Sequence, residues 1–312
     1  MWTSRTCEER PGAYPLNRKA IRMNTRRHFL GGLSAALASI PARGVPLPGA
    51  PAGASVFQIG CYTRPWGAYD YRVALDAIAA AGFKYAGLMT TKSKNNLIVS
   101  VDSTTEEAEA VGAELKQRGL GVLSLWGGNF PLGNPDGLKH LIDNCAACGC
   151  VSLLLGGTDE KKAEAYYKIV ADCCDHAAGK NVVMCVKPHG GNNANGSQCR
   201  RIIDQINNTS VRLWYDPGNV FYYSDGALDP VNDAAAVDGV VAGMSVKDFR
   251  PPKEVALTPG TGIVDFVNVL ARLKKGGFTR GPLVVECLSA GDLPHLAAEA
   301  VKARAFLTAL TA

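Results

Sequence analysis

The stretch VVMCVKPHGGNNANGSQCRRIIDQINNTSVRLWYDPGN, residues 182–219, carries the pattern on which the whole chain is built. Val182–Val186 is a short apolar run that breaks into the polar segment Lys187-Pro188-His189-Gly190-Gly191-Asn192-Asn193. Ser197–Ile206 then places apolar residues at helical spacing, and a second apolar run, Val211–Tyr215, ends in Asp216-Pro217-Gly218-Asn219. Short apolar runs bounded by turn residues read as strands buried on both faces. A helix between two such strands is the crossover of a parallel pair.

The same beat extends in both directions. Strand-like runs fall at Val56–Thr63, Tyr85–Met89, Val122–Trp126 and Val151–Leu155 before the quoted stretch, and at Val240–Val246 and Leu283–Cys287 after it. Helix-like segments fall at Tyr71–Ala81, Thr104–Arg118, Pro135–Cys148, Glu160–Ala178, Asp229–Val237, Phe266–Lys275 and Leu293–Leu310. Eight strands alternating with eight helices predict an α/β protein, a single (β/α)8 TIM barrel over residues 55–312. No Gly-x-Gly-x-x-Gly opens a helix after the first strand, which disfavours an open doubly wound sheet.

Apolar residues make up 47% of the chain and charged residues 20%, a composition that excludes a disordered polymer. The net charge of +5 comes from the start of the chain, where residues 1–54 hold eight Lys or Arg and two Asp or Glu. The remainder is near neutral, so no nucleic-acid partner is expected. Thr25-Arg26-Arg27-His28-Phe29-Leu30 looks like a twin-arginine export signal, followed by an apolar stretch ending at Ile40. That stretch is about 12 residues long, short of the roughly 20 that span a bilayer, so no stable membrane anchor is expected. Residues 1–54 are therefore read as signal and linker, and the product as exported and periplasmic. The ten cysteines include Cys145, Cys148 and Cys150, read as small buried residues rather than a zinc knuckle.

In a barrel of this kind, chemistry sits on the loops that leave the C-terminal ends of the strands. Those ends hold Tyr62-Thr63-Arg64-Pro65-Trp66, Trp126-Gly127-Gly128-Asn129, Lys187 to Asn193, Asp216 to Asn219, Ser245-Val246-Lys247-Asp248 and Glu286. Helix-to-strand links such as Ala81-Gly82-Phe83 hold only turn residues. One rim thus collects the ionisable, aromatic and amide groups. Trp66 and Trp126 supply flat surfaces for a sugar ring, and Asn219, Lys247, Asp248 and Arg250 supply polar contacts, so the expected partner is a small sugar or polyol. An exported enzyme meets mainly unphosphorylated sugars, and no phosphate is expected on the substrate.

Asp216-Pro217-Gly218-Asn219, Val246-Lys247-Asp248 and the run from Gly260-Thr261-Gly262 to Val284-Val285-Glu286 resemble the second half of the xylose-isomerase-like barrels. These are sugar isomerases and epimerases, distantly similar to DNA-repair enzymes of the endonuclease IV type. The resemblance implies a divalent metal held by Glu, Asp, His and Glu at the ends of strands five to eight. Asp216 and Glu286 match two of these; Lys187 stands at the first Glu and Ser245 at the His, while Gly87 stands near a further Glu often found on strand two. Two pictures of the site follow. In one, His189 shares a strand face with Lys187 and joins Asp216 and Glu286 around Mn²⁺, Zn²⁺, Fe²⁺ or Mg²⁺. In the other, the Lys187 ammonium sits between the carboxylates in place of a metal.

The expected chemistry is isomerisation or epimerisation by proton abstraction α to a carbonyl. Glu286 or Asp216 serves as base, Lys187, Lys247 or a metal polarises the carbonyl, and His189 shuttles a proton between oxygens. Two alternatives share these residues: a lyase or hydrolase of oxidised sugars or glycosides, and a non-catalytic sugar-binding barrel. Export is open to a direct test. Replacing both Arg26 and Arg27 by Lys keeps the charge but removes the twin-arginine pair, and the precursor should then accumulate in the cytoplasm; equal periplasmic yield would refute the signal.

Overall fold

The computed structural model describes residues 56–312; the export segment expected at 1–54 lies outside the described residues. Eight strands close into one barrel in sequence order: β1 Phe57–Tyr62, β2 Tyr85–Leu88, β3 Gly121–Trp126, β4 Ser152–Leu154, β5 Val183–Val186, β6 Val211–Tyr215, β7 Val241–Val246 and β8 Gly281–Val285. Every neighbouring pair is parallel, and closure comes from β1 against β8, with Phe57 opposite Gly281 and Cys61 opposite Val285. The expected (β/α)8 barrel is the fold observed.

The helices are α1 Tyr71–Ala80, α2 Thr105–Gln117, α3 Asp136–Ala147, α4 Glu160–Asp172, α5 Cys174–Gly179, α6 Gly196–Ile206, α7 Pro217–Tyr223, α8 Pro230–Asp233, α9 Phe266–Lys275 and α10 Leu293–Leu310. Most begin on a side-chain cap: Asp70, Thr104, Asp159, Asn195, Asp216, Asp265 and Asp292 each accept a first-turn amide. Two departures from the sequence pattern matter. The long segment at 160–178 breaks at Cys173, whose amide bonds both the Ile169 and Val170 carbonyls before α5 restarts. Pro217–Tyr223 carries no apolar stripe long enough to read as a helix, yet the Asp216 cap and Pro217 in its first turn suffice to start one.

Apolar side chains form two layers. The larger lies between sheet and helices, with Leu75, Ile78, Leu115, Leu141, Leu213 and Leu283 fully buried. The smaller fills the barrel interior and includes Tyr62, Leu123, Leu154, Cys185, Trp214 and Val284. Tyr62 and Trp214 fit inside because the adjacent strands supply glycine beside each ring. A Cβ on Gly87 would lie 2.2 Å from the Tyr62 ring, and one on Gly243 would lie 2.4 Å from the Trp214 ring. The nine cysteines of the described residues are free and buried. The thiols of Cys145, Cys148 and Cys150 each donate to a backbone carbonyl.

The Gly87 contact predicts that Gly87→Ala forces the buried Tyr62 ring or the β2 backbone to move, at a cost of about 1–3 kcal/mol. A chemical-denaturation midpoint equal to that of the wild type would show that the ring swings aside freely.

Candidate functional site

The C-terminal ends of the strands bring the predicted charged residues to one place. Glu286, one residue past β8, is buried, accepts hydrogen bonds from three side chains and forms an ion pair with a fourth. Ser245 Oγ and Lys187 Nζ each lie 2.7 Å from its Oε2, while Lys247 Nζ lies 2.6 Å and Arg64 Nη1 3.2 Å from its Oε1. Ser245 is itself held by Trp214, whose Nε1 donates to its Oγ at 3.1 Å. Asp216, fully buried past β6, uses Oδ1 to cap α7 through the Asn219 amide at 2.9 Å. Its Oδ2 faces Lys187 Nζ at 2.7 Å and Lys247 Nζ at 3.4 Å without an aligned hydrogen bond.

The two lysines are not equivalent. Lys247 also donates to Asn219 Oδ1 at 2.9 Å and forms ion pairs with Glu286 Oε1 and Asp216 Oδ2. Lys187 donates to Glu286 Oε2 and lies 2.7 Å from Asp216 Oδ2, so its ammonium, with three N–H groups, retains donor capacity for a ligand. Burial alone would raise the Glu286 carboxyl and lower the Lys247 ammonium. The cations of Lys187, Lys247 and Arg64 outweigh burial at Glu286 and hold it well below the usual carboxylate range. The carboxylates of Asp216 and Glu286 raise Lys247 in the same way. Both groups therefore stay charged at neutral pH.

Above this network lies a cavity of about 290 Å³. Arg64, Lys187, Lys247, Glu286, His189 and Asn219 give it a polar base, Trp126, Tyr222 and Tyr223 an aromatic wall, and Met89, Leu154, Leu155 and Val255 apolar surface. A shallower depression of about 300 Å³ beside it is lined mainly by the Gly157–Asp159 and His189–Gly191 loops. The deeper cavity is the candidate site, because the ionisable groups converge there. His189 stands at the boundary of the two. Its ring stacks on Trp126 with centroids 6.0 Å apart and tilts against Tyr223 at the same separation. Partial burial, then the charges of Lys187 and Lys247, push it down to about 4, so the imidazole is neutral at pH 7. Its loop needs glycine: Gly190 has φ +86°, and a Cβ there would meet the Tyr223 ring at 2.7 Å.

Not every predicted residue belongs to the cavity. Trp66 is 1% exposed and packs in the layer between sheet and helices, because the 3₁₀ turn Arg64–Trp66 carries its ring away from the mouth. Asp248 accepts from the amides of Phe249, Gly260, Gly262 and Val264 and so organises the loop after β7. Arg250 is exposed, pairing with Glu254 and donating to the Thr261 carbonyl. Arg64, by contrast, had only a generic positive charge to recommend it, yet it touches Glu286. Its signal was its place, directly after a strand and before Pro65.

The metal picture does not fit these residues. Two lysine ammoniums already stand against Asp216 and Glu286, and a dication close to them would meet repulsion of about 4 kcal/mol per pair of unit charges at 4 Å. His189 is held by aromatic rings rather than beside the carboxylates. Among the described residues no three His, Cys, Asp or Glu side chains are arranged to hold a metal ion. At the Gly87 position the Tyr62 ring fills the space that a glutamate would need.

The depressed Glu286 carboxyl has a pH consequence. It contributes stability above the ordinary glutamate pKa of about 4.3, and that contribution is lost only as pH falls through its lowered folded value. Lys187→Met removes one of the cations that lower it. The variant should lose up to about 3–5 kcal/mol at neutral pH and unfold in acid at a higher pH than the wild type. Coincident acid transitions by circular dichroism would contradict this coupling.

Comparison with known proteins agrees with the architecture. No curated protein matches by sequence. A D-psicose 3-epimerase from Clostridium cellulolyticum H10, solved with D-tagatose, superposes with a TM-score of 0.65 at 12% identity, covering 82% of this chain and 99% of the other. An L-ribulose 3-epimerase gives 0.63 at 14% identity, with 82% and 94% covered. A xylose isomerase domain protein from Alicyclobacillus acidocaldarius subsp. acidocaldarius gives 0.63 at 19% identity, with 82% and 98% covered. At these identities the likeness shows the fold. The family model described as xylose isomerase-like TIM barrel matches residues 75–310, and by that match the chain belongs to the xylose isomerase-like TIM barrel family.

Proposed function

We propose that the protein is an isomerase or epimerase of a small sugar or polyol-derived carbonyl compound, with lysine in the electrostatic role that the family commonly gives to a metal. The observation that carries the reading is the buried Glu286 carboxylate at the cavity base, held by hydrogen bonds from Lys187, Ser245 and Arg64 and by the Lys247 ion pair. Structural neighbours that are sugar 3-epimerases support the same reaction class.

The geometry suggests a division of labour. A substrate carbonyl oxygen accepts a hydrogen bond from Lys187 Nζ, and as negative charge develops on that oxygen the adjacent ammoniums stabilise it. In the free protein those same cations make Glu286 a weak base. When the substrate oxygen takes over a share of the lysine donors, Glu286 loses part of its stabilisation and becomes basic enough to accept the α-proton. Lys247 and Ser245 keep its carboxylate in position. Asp216 Oδ2, which lacks an aligned donor, receives a substrate hydroxyl. Neutral His189 passes a proton between the two oxygens of the enediolate during isomerisation, or holds a hydroxyl during epimerisation. Trp126 and Tyr223 cover the ring face. Secretion through the twin-arginine route, resting on Arg26 and Arg27, is proposed on the same footing.

Incubation in D₂O with a panel of ketoses and aldoses should place solvent deuterium on the product carbon. Glu286→Gln should lower both exchange and turnover by about 10²-fold or more. Prior dialysis against EDTA should leave the wild-type rate unchanged. Loss of activity on chelation, with recovery on adding Mn²⁺ or Zn²⁺, would overturn the lysine assignment. Full activity of Glu286→Gln would overturn its role as base. Deuterium exchange accompanied by loss of a leaving group would move the reaction to elimination.

A further inference from the structure

We infer that the substrate carries an anionic group, a carboxylate or a phosphate monoester, and that Arg64 is the residue that selects it. This rests on reading the cavity as a carbohydrate isomerase site. Two observations carry it, one of charge and one of geometry.

The charges at the cavity base do not cancel. Arg64, Lys187 and Lys247 stand against Asp216 and Glu286, and Glu286 is the only acidic residue that lines the cavity itself. Asp159, in the neighbouring depression, is paired with Lys162 at 3.4 Å and caps α4. His189 adds no negative charge in either protonation state. One positive charge is left over at the cavity wall, where an anionic ligand would balance it. A neutral sugar would leave that excess in place, whereas an anionic one removes it.

The geometry places the excess on Arg64. The turn Arg64–Trp66 follows β1 directly, and the buried Trp66 anchors its far end. Of the guanidinium nitrogens, Nη1 donates to Glu286 Oε1 at 3.2 Å and to Cys287 Sγ at 2.7 Å. Nε and Nη2 have no partner among the described residues, and the side chain is 39% exposed at the cavity wall. A planar fork with one edge fixed on Glu286 and the other open suits two-point binding of a carboxylate or phosphate. The guanidinium then also lies between the ligand's charge and that of Glu286, which screens the repulsion between them. The carboxylate of a sugar acid and a phosphate monoester share this chemistry and are the two arms of the test.

The test is calorimetric titration of the full chain, in phosphate-free buffer, with D-glucuronate, D-glucose 6-phosphate and D-glucose. At least one anionic sugar should bind about 10-fold or more tightly than glucose, the worth of a charge-assisted hydrogen-bond pair. The preference should weaken as salt is raised. Glucuronate ahead of the phosphate assigns a carboxylate, and the reverse order a phosphate monoester. Arg64→Gln keeps a donor for Glu286 without the charge and should cut the preference to below about 3-fold. Arg64→Lys keeps the charge without the fork and should restore part of it. Matched thermal unfolding of the variants separates this from misfolding. Equal binding of all three sugars, a preference that survives Arg64→Gln, or no binding of either anion overturns the inference. Deuterium exchange that is equally fast on neutral and anionic sugars would overturn it while leaving the isomerase reading standing; anion binding without exchange would do the opposite.

Discussion

A buried carboxylate surrounded by cations governs this molecule. Glu286 sits 2% exposed at the end of β8, and its ionised state is tolerable there only because Lys187, Lys247, Arg64 and Ser245 reach it from three other strand ends. Each of those residues is in turn fixed by closure of the barrel. A slip of one residue in any of these strands would turn its side chain to the opposite face of the sheet and leave a buried charge alone, at several kcal/mol. Register and electrostatics therefore constrain each other. The parallel pairing of β7 with β8, with Ser245 opposite Val284, is what carries Ser245 and Lys247 to the same carboxylate.

The aromatic filling of the barrel serves the same arrangement. Trp214 does more than occupy volume, since its indole N–H orients Ser245 toward Glu286. Tyr62 fills the space over Gly87 and receives a hydrogen bond from Ser124 at 2.7 Å. Both rings belong to the buried apolar cluster that fills the barrel interior. The glycines that admit these rings, Gly87 and Gly243, are thus part of the site's support although neither touches the cavity.

The barrel was legible in the sequence because parallel strands buried on both faces read as continuous apolar runs, and the helices between them carry a clear stripe. The chain's list of rim residues was legible for the same reason, since strand ends could be located within a residue or two. What each residue does at the rim was less legible. Lys187, Asp216, Glu286, Lys247 and Asn219 fall where strand ends place them. Trp66, Asp248 and Arg250 do not line the cavity, because their orientation is decided by turns, where one residue of winding changes the direction of a side chain by roughly 120°. Helix α7 was hidden because its start depends on one cap and one proline rather than on periodicity, and that cap is Asp216 itself. The choice between a metal and lysine turned on distances between residues up to 99 positions apart in the chain, which no local pattern encodes.

Lysine in place of a dication changes how such a site can work. A dication is drawn to substrate oxygens and to carboxylates at once, through several coordination positions. An ammonium has three protons, and here both ammoniums already stand within 3.4 Å of Asp216 and Glu286, with Lys247 also donating to Asn219, before any ligand arrives. The resting site therefore holds Glu286 as a weak base. Under the proposed reading, a substrate oxygen that draws on the lysine ammoniums would make Glu286 more basic. On that reading, activation of the base would be coupled to occupancy of the cavity: the proton acceptor would strengthen when a carbonyl oxygen is in place to receive the charge that proton removal creates.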